Sequence, residues 1–232
     1  MLTDLERRAE RWRALKAKMP AGVRLLAVSK GHPAAPIRQL AQLGQVDFGE
    51  SRVQEALPKQ EELADLPQIR WHFIGRLQAN KVRSVVRAFA VIHSIDSLAL
   101  AKRVDRITQE ERVAPECFLQ VKLRPDPTKG GWELQDLAEA WTALQSLQHL
   151  RIKGLMTMAP LGCSTAERRA LFGDCRNLAN QLGLTDCSMG MSGDWEDAAA
   201  AGATWVRVGS ALFGPRSIAS GPASPDSAVS IE

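Results

Sequence analysis

Apolar residues recur along the chain at two spacings, and the two alternate. At the start, Leu2, Leu5, Ala9, Trp12 and Leu15 are separated by steps of three and four, which puts them on one helix face. Thr3 and Glu6 stand at capping-box spacing, and Pro20 and Gly22 end the pattern. Val23–Ser29 (VRLLAVS) then reads as a short, apolar, β-rich run, the signature of a buried strand. Similar runs follow at Val46–Phe48, Trp71–Ile74, Ala90–His93, Cys117–Val121, Ile152–Met156, Cys187–Met189 and Trp205–Val208, making eight. Helical stretches lie between most of them. Over Ser97–Glu110 the inward positions are Leu100, Ala101, Val104 and Ile107. Over Ser164–Leu182 a second capping box, Ser164/Glu167, precedes an apolar face of Leu171, Phe172, Cys175, Leu178, Ala179 and Leu182.

Strands alternating with helices predict βαβ units and a parallel sheet. Eight units within about 200 residues suit a single α/β domain of the (β/α)8 TIM-barrel type, near the lower size limit of that fold. The run at Cys187–Met189 is too short to exclude a doubly wound open sheet. The barrel is expected over residues 1–216, and the small polar stretch 217–232 (SIASGPASPDSAVSIE) reads as a flexible tail.

Composition narrows the function classes. No apolar stretch approaches the roughly 18 residues of a membrane span, and the mixed charges of MLTDLERRAERW do not read as a signal peptide. Four scattered cysteines (Cys117, Cys163, Cys175, Cys187) then read as reduced thiols of a cytoplasmic protein. They form no CxxC pair, and His, Cys, Asp and Glu show no metal-ligand spacing. A formal charge of +4 permits an anionic ligand but does not point to nucleic acid. The chain contains no tyrosine, which excludes any mechanism needing a tyrosine acid or base from it.

In a (β/α)8 barrel the reactive groups sit at the C-terminal ends of the strands, and phosphates often bind after strands seven and eight. The first strand ends at Ser29-Lys30, which puts a lysine at the barrel mouth. There partial desolvation can free its amine to attack a carbonyl; a plain surface lysine is the alternative. After strand seven, Ser192 and Gly193 precede a short helix at Asp194–Ala201, and after strand eight come Gly209 and Ser210. Both loops offer N–H groups to an anion, although an ordinary serine cap explains the first equally well. Asp194, Glu196 and Asp197 would oppose an anion only if turned toward it. If Val206 and Val208 face the helices, Trp205 and Arg207 face the barrel interior, where an arginine needs an acceptor or an anion.

The segments AVSKGHP (27–33), FGESRVQEA (48–56), WHFIGRLQANK (71–81), IHSID (92–96), GLMTMAP (154–160), SMGMSGDWEDA (188–198) and GATWVRVGSALFGPR (202–216) resemble, in order, the YggS/PROSC family of pyridoxal phosphate homeostasis proteins. The resemblance implies a barrel similar to the N-terminal domain of alanine racemase. It implies pyridoxal 5′-phosphate (PLP) held as a Schiff base on Lys30, its phosphate near Met191, Ser192, Gly193, Gly209 and Ser210, and Arg207 near the pyridine nitrogen. Ser51 stands where the family usually has asparagine, so the contacts of that amide are in question here. The segment 122–131 matches loosely, and no role passes to Lys122 or Lys129.

An arginine at the ring nitrogen does not give up its proton, whereas catalytic use of PLP as an electron sink favours a protonated ring. Together with the missing tyrosine, this favours a non-enzymatic PLP-binding protein of vitamin B6 homeostasis, which holds the cofactor and can pass it to apo PLP-dependent enzymes. A monomer is expected. Two alternatives remain: an amino-acid racemase or lyase using His72 or His93 as its base, and a regulatory protein meeting a partner through a basic helix marked by Arg76, Lys81, Arg83 and Arg87. Packing within the barrel is the plainer role for both histidines, and a salt bridge the plainer role for Glu50 and Glu55. Trp132 and Trp195 read equally as surface anchors or core.

Overall fold

Alternation of the chain between extended and helical segments closes a ring. In the computed structural model, which describes residues 3–214, eight parallel strands pair in chain order and the first pairs with the last. They are β1 (Arg24–Val28), β2 (Asp47–Glu50), β3 (Arg70–Phe73), β4 (Val91–Ile95), β5 (Glu116–Gln120), β6 (Arg151–Met156), β7 (Asp186–Met191) and β8 (Trp205–Val208). The helices are α1 (Asp4–Lys18), α2 (Ala34–Gln42), α3 (Val53–Glu62), α4 (Val82–Ala88), α5 (Leu98–Glu111), α6 (Leu134–Gln145), α7 (Thr165–Gln181), α8 (Trp195–Ala200) and α9 (Ser210–Phe213). The closed ring removes the open-sheet alternative. Leu2 and the stretch 217–232 lie outside the described residues.

Both capping boxes form, Thr3 with Glu6 and Ser164 with Glu167. The predicted inner faces of α5 and α7 are buried or half-buried against the ring. Two expectations need correction. Leu5 stays exposed, because α1 rests on α2 and α9 outside the strand–helix layer and is seated by Ala9, Trp12 and Leu15. Arg76 precedes the helical stretch, and Arg83 and Arg87 on α4 are paired with Glu110 and Glu111 of α5. The four cations therefore do not form a free basic helix. Trp132 and Trp195 are both buried.

The period-two alternation of each strand divides the side chains between two cores. Leu25, Ala27, Ile92, Cys117, Leu119, Leu155, Val206 and Val208 join the outer layer under the helices, while Leu26, Val91, Phe118, Met156 and Trp205 fill the barrel axis. As expected from the alternation on β8, Trp205 and Arg207 point inward. Beside this apolar plug runs a polar band. His72 and His93 are fully buried, with His72 Nδ1 3.0 Å from His93 Nε2 and His72 Nε2 2.9 Å from Asp47 Oδ1. His93 Nδ1 lies 2.9 Å from the Ser188 hydroxyl. This band explains why β7 looks short in the sequence: its inward Ser188 interrupts the apolar run of a six-residue strand.

Burial holds both imidazoles below the usual histidine pKa, His93 well below, and Asp47 only partly offsets this for His72. Unfolding frees both to take a proton near pH 6.5, so the unfolded state binds more protons and stability falls with pH below that value. The slope is about 1.4 kcal/mol per pH unit for each histidine that stays neutral when folded. Urea melts at about pH 7.5 and about pH 5.5 should show this loss, and a His93→Gln variant should lose part of it; a flat profile in the wild type contradicts the assignment.

Candidate functional site

The C-terminal ends of β1, β6, β7 and β8 surround a cavity of about 580 Å³. Its lining includes Lys30, Met191, Ser192, Gly193, Arg207, Gly209 and Ser210, so all seven residues singled out from the sequence meet at one site. Val28, His32, Ile74, Met156, Met158 and Gly214 complete it. Most of these the sequence did not reveal, since a cavity wall of Met, Ile and Val reads as ordinary core. His32 had a local signal in its closeness to Lys30; its ring stacks on Phe213 at 4.9 Å.

Lys30 is the first exposed residue after four buried ones on β1 and Ser29, and its side chain is on the cavity wall. Its neighbours on both sides are tied down from beneath. Lys59 of α3 donates from Nζ to the Ser29 carbonyl (3.2 Å), to Glu50 Oε1 (2.8 Å) and to Glu55 Oε1 (2.8 Å). The Ser29 hydroxyl donates to Glu50 Oε1 at 2.6 Å, and the Gly31 N–H donates to Glu55. Burial pushes the Glu50 carboxyl upward against the bonds from Lys59 and Ser29. At Glu55 burial also pushes upward, but the bonds from Lys59 and the Gly31 N–H outweigh it and leave the group below its ordinary value. The expected salt bridge is thus present, and the missed residue is Lys59. Its spacing of four from Glu55 on one helix was the available signal.

On the opposite wall, Arg207 donates from Nη1 to the Ser188 carbonyl (2.6 Å) and hydroxyl (2.9 Å), and from Nη2 to the Thr157 carbonyl (2.9 Å). These partners are all neutral. Burial lowers the guanidinium pKa to about 10, which still leaves it charged at neutral pH. Its direct partners carry no charge and Asp194 acts on it only through space, so the guanidinium has electrostatic capacity left for an anion in the cavity.

Beside it, the Ser192 hydroxyl accepts from the Gly209 N–H (3.2 Å) and the Ala211 N–H (3.5 Å), joining the loops after β7 and β8. Gly209 sits against β1, where an added Cβ would come within 3.2 Å of the Val28 carbonyl oxygen. Gly190, at φ +86, leaves no room for a side chain: a Cβ there would lie 2.5 Å from that of Ala198. The acidic residues of this region turn away from the cavity. Asp194 accepts from the Met191 N–H at 2.6 Å, and Asp197 is paired with Arg168 and Arg169. Ser51 is not among the lining residues. Among the described residues, no cluster of three or more His, Cys, Asp or Glu could hold a metal, and no helix is long and apolar enough to cross a membrane.

Comparison with known proteins places this geometry. The chain matches the family described as alanine racemase, N-terminal domain, over residues 3–217. It is 50% identical over 206 residues to a pyridoxal phosphate homeostasis protein of Synechocystis, covering 86% of this chain and 94% of that one. The chain belongs to the pyridoxal phosphate homeostasis protein family. Within that family, PipY of Synechococcus elongatus, solved with PLP bound, is 51% identical with a TM-score of 0.86, covering 89% of this chain and all (100%) of that one. Outside it, alanine racemase of Bartonella henselae shares the fold at 16% identity and a TM-score of 0.74, with 92% of this chain and 60% of that enzyme covered. Members of the homeostasis family thus share this chain's length, and the racemase is the longer protein.

Proposed function

We propose that this chain is a non-enzymatic PLP-binding protein of intracellular vitamin B6 homeostasis, with PLP attached covalently to Lys30. The observation that carries this is the convergence on one cavity of an exposed primary amine and a buried, charged arginine with only neutral partners. PLP is an aldehyde, a phosphate monoester and an aromatic base in one molecule, and the cavity offers a counterpart to each. When bound, PLP supplies an aldehyde that condenses with an amine and releases water. Lys30 supplies that amine, held in place by the Glu50–Lys59–Glu55 pairs on either side of it. Ser192, Gly193, Gly209 and Ser210 would hold the phosphate beside Met191, whose own N–H is taken by Asp194, and Arg207 would face the ring nitrogen. Met156, Met158, Ile74 and Val28 give the ring an apolar wall.

Two features support a carrier over a catalyst. Arg207 remains a cation at neutral pH and offers the ring nitrogen no acid of carboxylate type. His72 and His93, the alternative bases, are not among the residues lining the cavity. We read residues 1–216 as one functional domain, monomeric and cytoplasmic, able to pass PLP to apo-enzymes. Borohydride reduction of the PLP-treated protein followed by peptide mapping should place the pyridoxyl group on Lys30. A protein that takes up no PLP overturns the reading, and turnover of alanine or serine above a Lys30→Ala control restores the racemase or lyase alternative.

Arg207→Met separates function from stability. Methionine keeps an apolar stem and removes a buried charge whose desolvation is costly, but it leaves the Thr157 carbonyl without its donor; the two effects oppose, so the melting temperature should fall only slightly. Affinity for PLP should fall about 30- to 100-fold, the equivalent of one charge-assisted contact of about 2–3 kcal/mol. Thermal melts and PLP titration of one preparation check both halves.

A further inference from the structure

Arg207 has no carboxylate in direct contact, yet its bonds continue beyond Ser188. The Ser188 hydroxyl receives Arg207 Nη1 at 2.9 Å, so its own single proton must point elsewhere, and its remaining partner is His93 Nδ1 at 2.9 Å. His93 Nδ1 is therefore the acceptor, and the proton of that ring sits on Nε2, directed at His72 Nδ1 at 3.0 Å. His72 Nδ1 is in turn an acceptor, and its Nε2–H points to Asp47 Oδ1 at 2.9 Å. Each group in the row donates once in the same direction, from the cation on β8 to the carboxylate at the start of β2. Reversing the row leaves the Ser188 proton without an acceptor. It also sets a bare His72 Nε2 against Asp47, unless His72 carries a buried positive charge. Arg70 and Glu116, the other charges nearest His72, neutralise each other in a salt bridge.

We infer that Asp47, acting through the hydrogen bonds of His72, His93 and Ser188, fixes the orientation of Arg207, and that Asp47, His72, His93 and Ser188 are positioning residues for the cavity at the far end of the strands. The nearer through-space counter-charge of Arg207 is Asp194. The relay crosses the barrel interior from β2 through β3, β4 and β7 to β8 and orients the guanidinium from behind, leaving its cavity side for the ligand. This inference rests on the proposed role of Arg207 toward PLP, but the arrangement of protons belongs to the chain alone.

The test has two arms. In ligand-free protein labelled with ¹⁵N-histidine, with the His32 and His149 signals identified by substitution, both remaining rings should be neutral Nε2–H tautomers at neutral pH. An Nδ1–H tautomer or an imidazolium at either position overturns the relay, whether or not the protein binds PLP. In the second arm, Asp47→Ala should weaken PLP binding roughly fivefold and disturb the tautomers of both rings, while the Lys30 imine still forms. Unchanged affinity with unchanged tautomers in a folded Asp47→Ala protein also overturns it. If that variant does not fold, the wild-type tautomers decide. Failure of PLP binding altogether would instead appear in the wild type and count against the function, not the relay.

Discussion

Lys30→Ala is expected to abolish the absorption near ~420 nm that PLP acquires as a protonated imine on a protein amine, while leaving the fold intact. The side chain is exposed at the cavity wall and no core contact depends on it. Stability should therefore stay within about 0.5 kcal/mol of the wild type, the usual range for exposed positions. PLP should still bind, weakly and reversibly, through the loops after β7 and β8 and Arg207. Absorption spectra and urea melts of the two proteins check this. An imine band that survives in the variant would move the attachment elsewhere. Two other lysines are poorly suited: Lys59 is buried and holds three acceptors, and Lys129 is committed to the Ala159 carbonyl and Asp126. Insoluble variant protein would contradict the placement of Lys30 at the mouth.

Lys59→Met is expected to give the largest loss of stability, about 3–5 kcal/mol, the cost of stranding one member of a buried ion pair. Glu50 is fully buried and its Oε2 already has no partner, so without Lys59 its carboxylate keeps only the Ser29 hydroxyl. Methionine matches the length of the lysine stem, which limits the packing change. In the variant the Glu50 pKa should rise further above its unfolded value. A raised carboxyl pKa means that the folded state binds the extra proton, so the deficit should shrink as pH falls toward the unfolded carboxylate pKa of about 4.3. Glu50→Gln combined with Lys59→Met should recover most of the loss. Because Lys59 and Glu55 also fix the backbone at Ser29 and Gly31, PLP affinity should drop in the single variant even where it is folded. Urea melts across pH and PLP titration measure both effects; a loss under about 1 kcal/mol would show that the pair is not structurally important.

Six of the seven cavity residues were legible from the chain's own pattern, because strand ends are legible, and Met191 came from the family resemblance. An apolar run that stops at a lysine, or passes into small residues, marks the place where a barrel strand reaches its mouth. The positions of Lys30, Ser192, Gly193, Gly209 and Ser210 follow from that, and period-two alternation on β8 turns Arg207 inward. Helix faces and both capping boxes are equally local, since steps of three and four or a Ser/Thr-x-x-Glu pattern need no distant partner. What local pattern could not supply was pairing between strands far apart in the chain. Lys59 beneath Ser29, the neutral partners of Arg207, and the row from Asp47 through His72, His93 and Ser188 join residues 19 to 95 positions apart. The exposure of Leu5 and the pairing of Arg83 and Arg87 with α5 were hidden for the same reason.

By itself, then, the amino-acid order determined that strands and helices alternate, which faces they bury, and which residues stand at the rim. Closure of the ring decided the rest: only when β1 meets β8 do an amine and a guanidinium from opposite ends of the chain share one cavity. Burial then decides the chemistry of the guanidinium, whose partners only the barrel brings together.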